Sequence, residues 1–230
     1  MTRNQRLLAL AAAAVVAVVI VVVAVVVGGS KPSTTHPATT VAGGSQSFLA
    51  GVPQHGYVLG SASAPATLLV FEDPQCPYCQ EWSLGALPSV VDTFVRTGRV
   101  RLEWRGIAII GPNSVAGLRA AYAAGQQNRL WNLVEQLYER QGAENSGWIT
   151  EAVLRSAAKA AGVDAAKMLA AADSKAVTAE LEQAARDAEQ QKVAGTPTFV
   201  LVRPPGLPQQ LKVTGLDPST FDSELAAALG

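Results

Sequence analysis

The longest apolar run of the chain covers residues 7–27, which are mostly Ala and Val with no charged or polar side chain. A helix of this length crosses a bilayer, and the run exceeds the apolar core of about 7 to 15 residues in an ordinary signal peptide. Arg3 and Arg6 precede it and only Lys31 follows closely, so the positive-inside rule leaves residues 1–6 in the cytoplasm. We therefore expect a single uncleaved transmembrane anchor with the rest of the chain outside; a cleaved signal peptide is the alternative.

The pattern changes after the anchor. Residues 28–47 are rich in Gly, Ser, Thr, Pro and Ala, a composition typical of a flexible linker. Residues 48–230 are of the right number for one domain with its own core.

A strand–helix–strand pattern opens this outer domain. Residues 66–72 form a nearly continuous apolar run, which predicts a buried strand. A helix is predicted from Pro77 to about Thr97, interrupted at Pro88 and stopped by Gly98. A second strand follows over residues 99–104, and together these elements form a βαβ unit.

Helical periodicity dominates residues 113–193. Apolar residues recur there at helical spacing, and Thr150, Asp164 and Ser174 are suitable N-caps. We expect four or five helices. One apolar stripe consists of Leu130, Leu133, Val134, Leu137 and Tyr138.

The C-terminal pattern is strand, strand, helix. Residues 198–202 and 210–213 are rich in β-forming residues and flank the turn-rich segment 204–208, which predicts a hairpin. Asp217 and Pro218 then cap and start a last helix that ends near Leu229. The order βαβ, helices, ββα predicts an α/β thioredoxin-like fold with an inserted α-helical subdomain, preceded by a single transmembrane helix.

The charge pattern argues against one class of partner. Lys and Arg number 18, as do Asp and Glu, and no long run of one sign occurs. Nucleic-acid binding depends on concentrated positive charge, so we do not expect it.

The two cysteines of the chain lie together in the segment Cys76-Pro77-Tyr78-Cys79. If a helix begins here, Pro77 takes its first position, and the unpaired N–H groups and the helix dipole favour a thiolate at Cys76. Cys79 lies almost one turn further on the same face, within reach of Cys76. We assign Cys76 as the attacking and leaving thiol and Cys79 as the buried resolving thiol.

Two other interpretations of the pair stay open at this point. A zinc site needs four ligands, whereas His36 and His55 are the only histidines and lie far away in sequence. A purely structural disulfide would close so short a loop that it removes little entropy from the unfolded chain. Both are less favoured than a redox pair, and an outward-facing redox pair fits the compartment where disulfides persist.

The sequence resembles the DsbA-type thiol:disulfide oxidoreductases, in particular the membrane-anchored branch of Gram-positive and actinobacterial envelopes. The similarity extends over most of the outer domain. It rests on the segments Gly60-Ser61-Ala62-Ser63-Ala64-Pro65, Phe71-Glu72-Asp73-Pro74-Gln75-Cys76-Pro77-Tyr78-Cys79, Leu130-Trp131, Leu137-Tyr138, Asn145-Ser146-Gly147-Trp148 and Gly195-Thr196-Pro197-Thr198-Phe199.

The resemblance implies a cis-proline at Pro197, facing the cysteine pair, with the backbone before it free to pair with an extended substrate. Thr196 would then touch both the substrate and the sulfur of Cys76. The activity implied is the introduction of disulfides into exported proteins, without a cofactor or metal ion.

Two positions depart from the family pattern. Many relatives bury a carboxylate six residues before the nucleophile, where this chain has Val70. Glu72, or Asp73, could take over proton transfer for the resolving thiol, although a charged residue at a strand end is more often solvated. Tyr78 replaces the histidine of the most oxidising relatives and cannot supply a positive charge, so we expect a less oxidising couple.

The resemblance also suggests partners. Substrates would be exported proteins with free thiols or disulfides, and reoxidation would come from a membrane partner similar to vitamin K epoxide reductase. We expect a monomer. Isomerases of this kind commonly gain a dimerisation domain, and since no such segment is visible, an oxidase is favoured. A reductase or isomerase using the same residues is the main alternative, and a non-catalytic envelope binding module is the less favoured one.

Overall fold

A six-stranded sheet forms the centre of the protein, whose computed structural model describes residues 47–230. The strands lie side by side in the order β1-β2-β4-β3-β5-β6. In chain order they are β1 (Gln54–His55), β2 (Val58–Leu59), β3 (Ala66–Glu72), β4 (Val100–Gly106), β5 (Thr198–Val202) and β6 (Gln209–Gln210).

Strand β3 occupies the interior of the sheet. It pairs in parallel with β4 and antiparallel with β5, and Phe71 lies opposite Thr198. Six of its seven residues are buried, which explains its almost unbroken apolar run, since a strand covered on both faces has no solvent side for polar residues. The predicted βαβ unit and the predicted strand over residues 198–202 are confirmed.

The helix after β3 is broken at a different residue from the predicted one. It consists of α1 (Pro77–Leu84), α2 (Ala86–Val90) and a wider π-helical turn (Val91–Val95). The break lies at Gly85, where a Cβ would stand 2.6 Å from the carbonyl oxygen of Glu81. The prediction of a break at Pro88 was therefore wrong: this proline falls in the first turn of α2, where its missing N–H leaves no hydrogen bond unmade.

Five helices form the insertion between β4 and β5, within the predicted number. The three predicted N-caps are confirmed, because the side chains of Thr150, Asp164 and Ser174 each accept a hydrogen bond from a backbone N–H three residues on. The helices are α3 (Ser114–Gly125), α4 (Leu130–Tyr138), α5 (Glu151–Ala161), α6 (Ala165–Ala171) and α7 (Lys175–Gln190).

The C-terminal hairpin and helix are confirmed, with one shorter strand. Strand β6 ends at Gln210 instead of continuing to residue 213. The N–H of Leu211 still donates to the carbonyl of Phe199 at 2.8 Å, whereas the N–H of Thr214 donates to the carboxylate of Glu224 on the last helix. That helix is α8 (Pro218–Leu229), and Asp217 caps it.

The predicted anchor, residues 7–27, lies outside the described residues, as do residues 1–6 and nearly all of the predicted linker 28–47. Within residues 47–230, none of the helices has the length and apolar character needed to span a bilayer.

Three aromatic rings join α1, β5 and α8. Phe221 of α8 lies with its ring centroid 4.7 Å from that of Phe199 and 5.8 Å from that of Trp82. All three side chains are buried. The cluster therefore holds the last helix against the sheet and against the helix that follows the cysteine segment.

Replacing Phe221 with Ala should lower the free energy of unfolding by about 3 to 5 kcal/mol, because it removes a fully buried ring and leaves a cavity. Urea unfolding, followed by tryptophan fluorescence, measures the loss. Phe221→Leu is the matched control and should cost clearly less, since it keeps part of the apolar volume. A loss below about 1 kcal/mol in the Ala variant would mean that the cluster is not a stabilising contact.

Candidate active site

Cys76 lies at the junction between β3 and α1. It is the N-cap of α1, with φ −73° and ψ 120°, and Pro77 takes the first helical position as predicted. The backbone N–H of Cys76 donates to the carbonyl of Asp73 at 3.0 Å, which turns the chain between strand and helix. Only 3 % of Cys76 is exposed, and Cys79, one turn further, is completely buried. Both thiols are free.

The two thiols differ in acidity. A hydrogen bond from the Cys79 thiol lowers the pKa of Cys76 to about 6, against the opposing effect of burial, and Thr196 and the backbone at Tyr78 and Cys79 add to the lowering. Burial raises the pKa of Cys79 well above that of an ordinary thiol. At neutral pH the pair therefore presents one thiolate, at Cys76, and one thiol, at Cys79.

Thr196 and Pro197 lie on the opposite side of Cys76. The antiparallel register that pairs Phe71 with Thr198 brings the residues before β5 beside the end of β3. The sulfur of Cys76 lies 3.1 Å from the carbonyl oxygen of Thr196 and donates to it as a thiol. The Thr196–Pro197 peptide bond is cis, as the resemblance implied.

Glu72 is completely buried. Its carboxylate accepts hydrogen bonds from Ser83 Oγ at 2.9 Å and from Trp104 Nε1 at 2.7 Å. Burial raises the pKa of Glu72 to about 8, and the negative charge of Cys76 adds to the increase. The solvated alternative for this residue is wrong, because α1 and the ring of Trp104 cover the end of β3.

Gly106 allows the tryptophan to reach Glu72. It lies beside Glu72 in the parallel register of β3 and β4, and a Cβ at this position would stand 2.2 Å from Cη2 of Trp104. The absence of a side chain at Gly106 leaves room for the ring of Trp104, whose N–H then lies within hydrogen-bonding distance of the Glu72 carboxylate. No spacing rule in the sequence predicts this contact.

Tyr78 differs from its neighbours because 63 % of it is exposed. The structure thus brings Cys76, Cys79, Glu72 and Thr196 together, while the ring of Tyr78 reaches the solvent beside them.

Polar side chains of the helical insertion approach the segment before Cys76, which sequence reasoning did not predict. Asp73 and Gln75 are both buried there, and Ser114 at the start of α3 hydrogen-bonds to both. Positions 39 and 41 residues apart leave no local pattern that would indicate such a contact. Among residues 47–230, no group of three or more His, Cys, Asp or Glu side chains is arranged to hold a metal ion.

Comparison with known proteins identifies the family. The family model described as thioredoxin matches residues 53–202. A probable disulfide bond formation protein D from Bacillus cereus is 28% identical over 144 residues, which cover 61% of this chain and 67% of that protein.

Solved structures share the fold. BdbD from Bacillus subtilis superposes with a TM-score of 0.64 at 19% identity, covering 77% of this chain and 97% of that one. DsbA from Chlamydia trachomatis gives a TM-score of 0.59 at 21% identity, with 74% and 88% covered. The α/β fold with its helical insertion is thereby confirmed, and the chain belongs to the thioredoxin family, among its DsbA-type thiol:disulfide oxidoreductases.

Proposed function

We propose that this protein introduces disulfides into exported proteins on the outer side of the membrane, with Cys76 and Cys79 as its redox pair. The observation that carries the proposal is the unequal state of the two thiols. Cys76 lies at a helix start with its pKa lowered to about 6, whereas Cys79 is completely buried behind it. A structural disulfide or a metal ligand would not need this asymmetry.

The proposed reaction begins with the Cys76–Cys79 disulfide. A substrate thiolate attacks the sulfur of Cys76, a mixed disulfide forms, and the Cys79 sulfur leaves with the electron pair of the broken bond. A second substrate thiolate then attacks the substrate sulfur of the mixed disulfide and displaces Cys76. The substrate loses two electrons and the enzyme pair gains them, and Cys76 is a good leaving group because its thiolate is stabilised.

Glu72 supplies the proton in this proposal. Its pKa of about 8 means that the carboxyl is mostly protonated at pH 7, so it can give a proton to Cys79 as that sulfur leaves. During reoxidation the same carboxylate takes the proton back when Cys79 must attack. We assign no direct contact with substrate to Glu72.

Thr196 and Pro197 form the proposed substrate-binding segment. The carbonyl of Thr196 lies 3.1 Å from the sulfur of Cys76, so a peptide bonded to that sulfur would lie alongside this backbone. An extended peptide can pair there through main-chain hydrogen bonds, which read little of its sequence. This suits an enzyme that acts on many different proteins.

Residues 7–27 would anchor a monomeric catalytic domain near its oxidant. A tethered domain meets a membrane partner at a high effective concentration. Each catalytic cycle leaves two electrons on Cys76 and Cys79, which an oxidant must remove. From the resemblance to the membrane-anchored DsbA-type enzymes, we infer that this oxidant is a quinone-linked membrane protein similar to vitamin K epoxide reductase.

Cys76→Ser should abolish oxidation of a reduced peptide, because it removes the sulfur that substrate attacks. Cys79→Ser cannot form the internal disulfide, but its Cys76 thiolate should attack a disulfide-containing peptide, release one peptide sulfur as a thiolate and keep the other in a mixed disulfide, because no Cys79 thiol displaces it. Mass spectrometry under non-reducing conditions detects the adducts. A Cys76→Ser protein that still oxidised the peptide would exclude the proposed mechanism.

Glu72→Gln should slow the steps that move the proton of Cys79 by about 100-fold or more, the range typical of general acid–base catalysis. The variant can fold, since its amide oxygen can accept from Trp104 and its NH₂ can donate to the hydroxyl of Ser83. Stopped-flow mixing of the oxidised protein with a thiol peptide measures the rate. Ser83→Ala, which keeps the carboxyl, is the control, and an unchanged rate in Glu72→Gln would remove the residue from the mechanism.

The direction of electron flow depends on the reduction potential. The acidic thiol of Cys76 stabilises the reduced form, but Tyr78 adds no positive charge, so we expect a value between about −120 mV for the strongest oxidase and about −270 mV for thioredoxin. Equilibration with glutathione buffers provides the measurement. A value at or below that of thioredoxin would favour a reductase, the second candidate, which the neutral Tyr78 supports.

A further inference from the structure

Asp73 is a buried carboxylate that the proposed reaction does not use. Its side chain accepts four hydrogen bonds. The donors to Oδ1 are the backbone N–H of Gln75 at 2.8 Å and the hydroxyl of Ser114 at 2.6 Å. The donors to Oδ2 are the backbone N–H groups of Ile109 and Ile110, each at 2.9 Å. All four donors are neutral, and together they fill the accepting capacity of the carboxylate.

These donors belong to three separate parts of the chain. Gln75 is next to Cys76, Ile109 and Ile110 follow β4, and Ser114 is the first residue of α3. Asp73 thus connects the segment before the nucleophile to the point where the helical insertion begins.

The side chain of Gln75 makes a second connection to the insertion. It is buried, and its NH₂ donates to the hydroxyl of Ser114 at 2.8 Å. Its oxygen accepts from the backbone N–H of Asn145 at 2.8 Å. A buried amide with both ends paired has one orientation available, so it fixes the segment on which Cys76 stands.

Backbone carbonyls of the same segment are also held by the insertion. Gln141 donates to the carbonyls of Pro74 at 2.9 Å and of Cys76 at 3.1 Å. The hydroxyl of Tyr138 lies 3.2 Å from the carbonyl of Asp73 and donates to it. This segment has no strand or helix of its own, so these contacts replace the regular hydrogen bonds that would otherwise define its path.

We propose that Asp73 is a positioning residue for the redox reaction: it ties the segment before Cys76 to the helical insertion and thereby keeps the sulfur against Thr196 and the first turn of α1. The role of Asp73 rests on the proposed function, but the acidity of Cys76, which tests it, can be measured without a substrate. The contacts at stake for the acidity of Cys76 are the hydrogen bonds that favour its thiolate, first from the Cys79 thiol and then from the Thr196 side chain and the backbone of the first turn of α1. The carbonyl of Thr196, 3.1 Å from the sulfur, accepts only from the neutral thiol.

Asp73→Asn separates positioning from simple charge. The amide places an NH₂ group either against two backbone N–H groups or against that of Gln75, so at least one donor loses its acceptor. If Asp73 positions Cys76, the loosened segment weakens the hydrogen bonds that Cys79 and the first turn of α1 donate to the sulfur. The pKa of Cys76 then rises. If its charge alone mattered, removing a negative group would favour the thiolate and the pKa would fall.

The measurement is the pH dependence of iodoacetamide labelling at Cys76, in the reduced full-length protein in detergent micelles. The wild type should titrate with a midpoint near 6. Asp73→Asn should move the midpoint upward by at least about half a pH unit, or about threefold less thiolate at a given pH below the midpoint. Ser114→Ala, which removes one donor without changing the charge, should move it less and in the same direction.

Asp222→Asn is the control for a general loss of stability. Asp222 on α8 accepts a hydrogen bond from Ser89 at 2.6 Å, and its substitution should leave the midpoint unchanged. An unchanged or lowered midpoint in Asp73→Asn overturns the inference, and if that variant does not fold, an unchanged midpoint in Ser114→Ala overturns it. Because labelling requires no substrate, a wild type that fails to oxidise a peptide overturns the proposed function instead.

Discussion

The antiparallel pairing of β3 with β5 is the constraint on which the site depends. It places the residues before Thr198 beside the end of β3, and so brings the carbonyl of Thr196 within 3.1 Å of a sulfur 120 positions earlier in the chain. A slip of one residue in this register would turn the buried side chains of β5 toward the opposite face. The register of this strand pair therefore also sets the geometry of the redox site.

The helical insertion closes the loop that this pairing requires. Its five helices lie between β4 and β5, and α3 and α4 supply Ser114 and Tyr138 to the segment before Cys76. The entropic cost of closing a loop grows only slowly with its length, so a long connection does not need extra contacts to hold its ends together. The buried polar contacts made here are therefore not explained by the connection alone. The insertion and the sheet thus both contribute to the position of one sulfur.

Sequence reasoning reached the parts of the molecule that local rules control. The run 66–72 and the caps at Thr150, Asp164 and Ser174 depend on neighbours within a few residues, and the structure has them where expected. The break at Gly85 was missed because it depends on how closely the backbone of Glu81 approaches. The short strands β1 and β2 have two residues each, too few for an alternating pattern to be recognised.

The burial of Glu72 follows from the two-residue period of a strand. Residues two apart on a strand point to the same face, so Glu72 lies on the face of Val70, about 6 to 7 Å further toward the end of β3. On that face α1 contributes Ser83 and β4 contributes Trp104, and both donate to the carboxylate. A shift of one residue would have carried the acid to the opposite face, whereas a shift of two keeps it beneath the helix that bears the cysteines. The period of the strand therefore explains why a carboxylate absent from position 70 is still able to serve the proposed proton transfer from position 72.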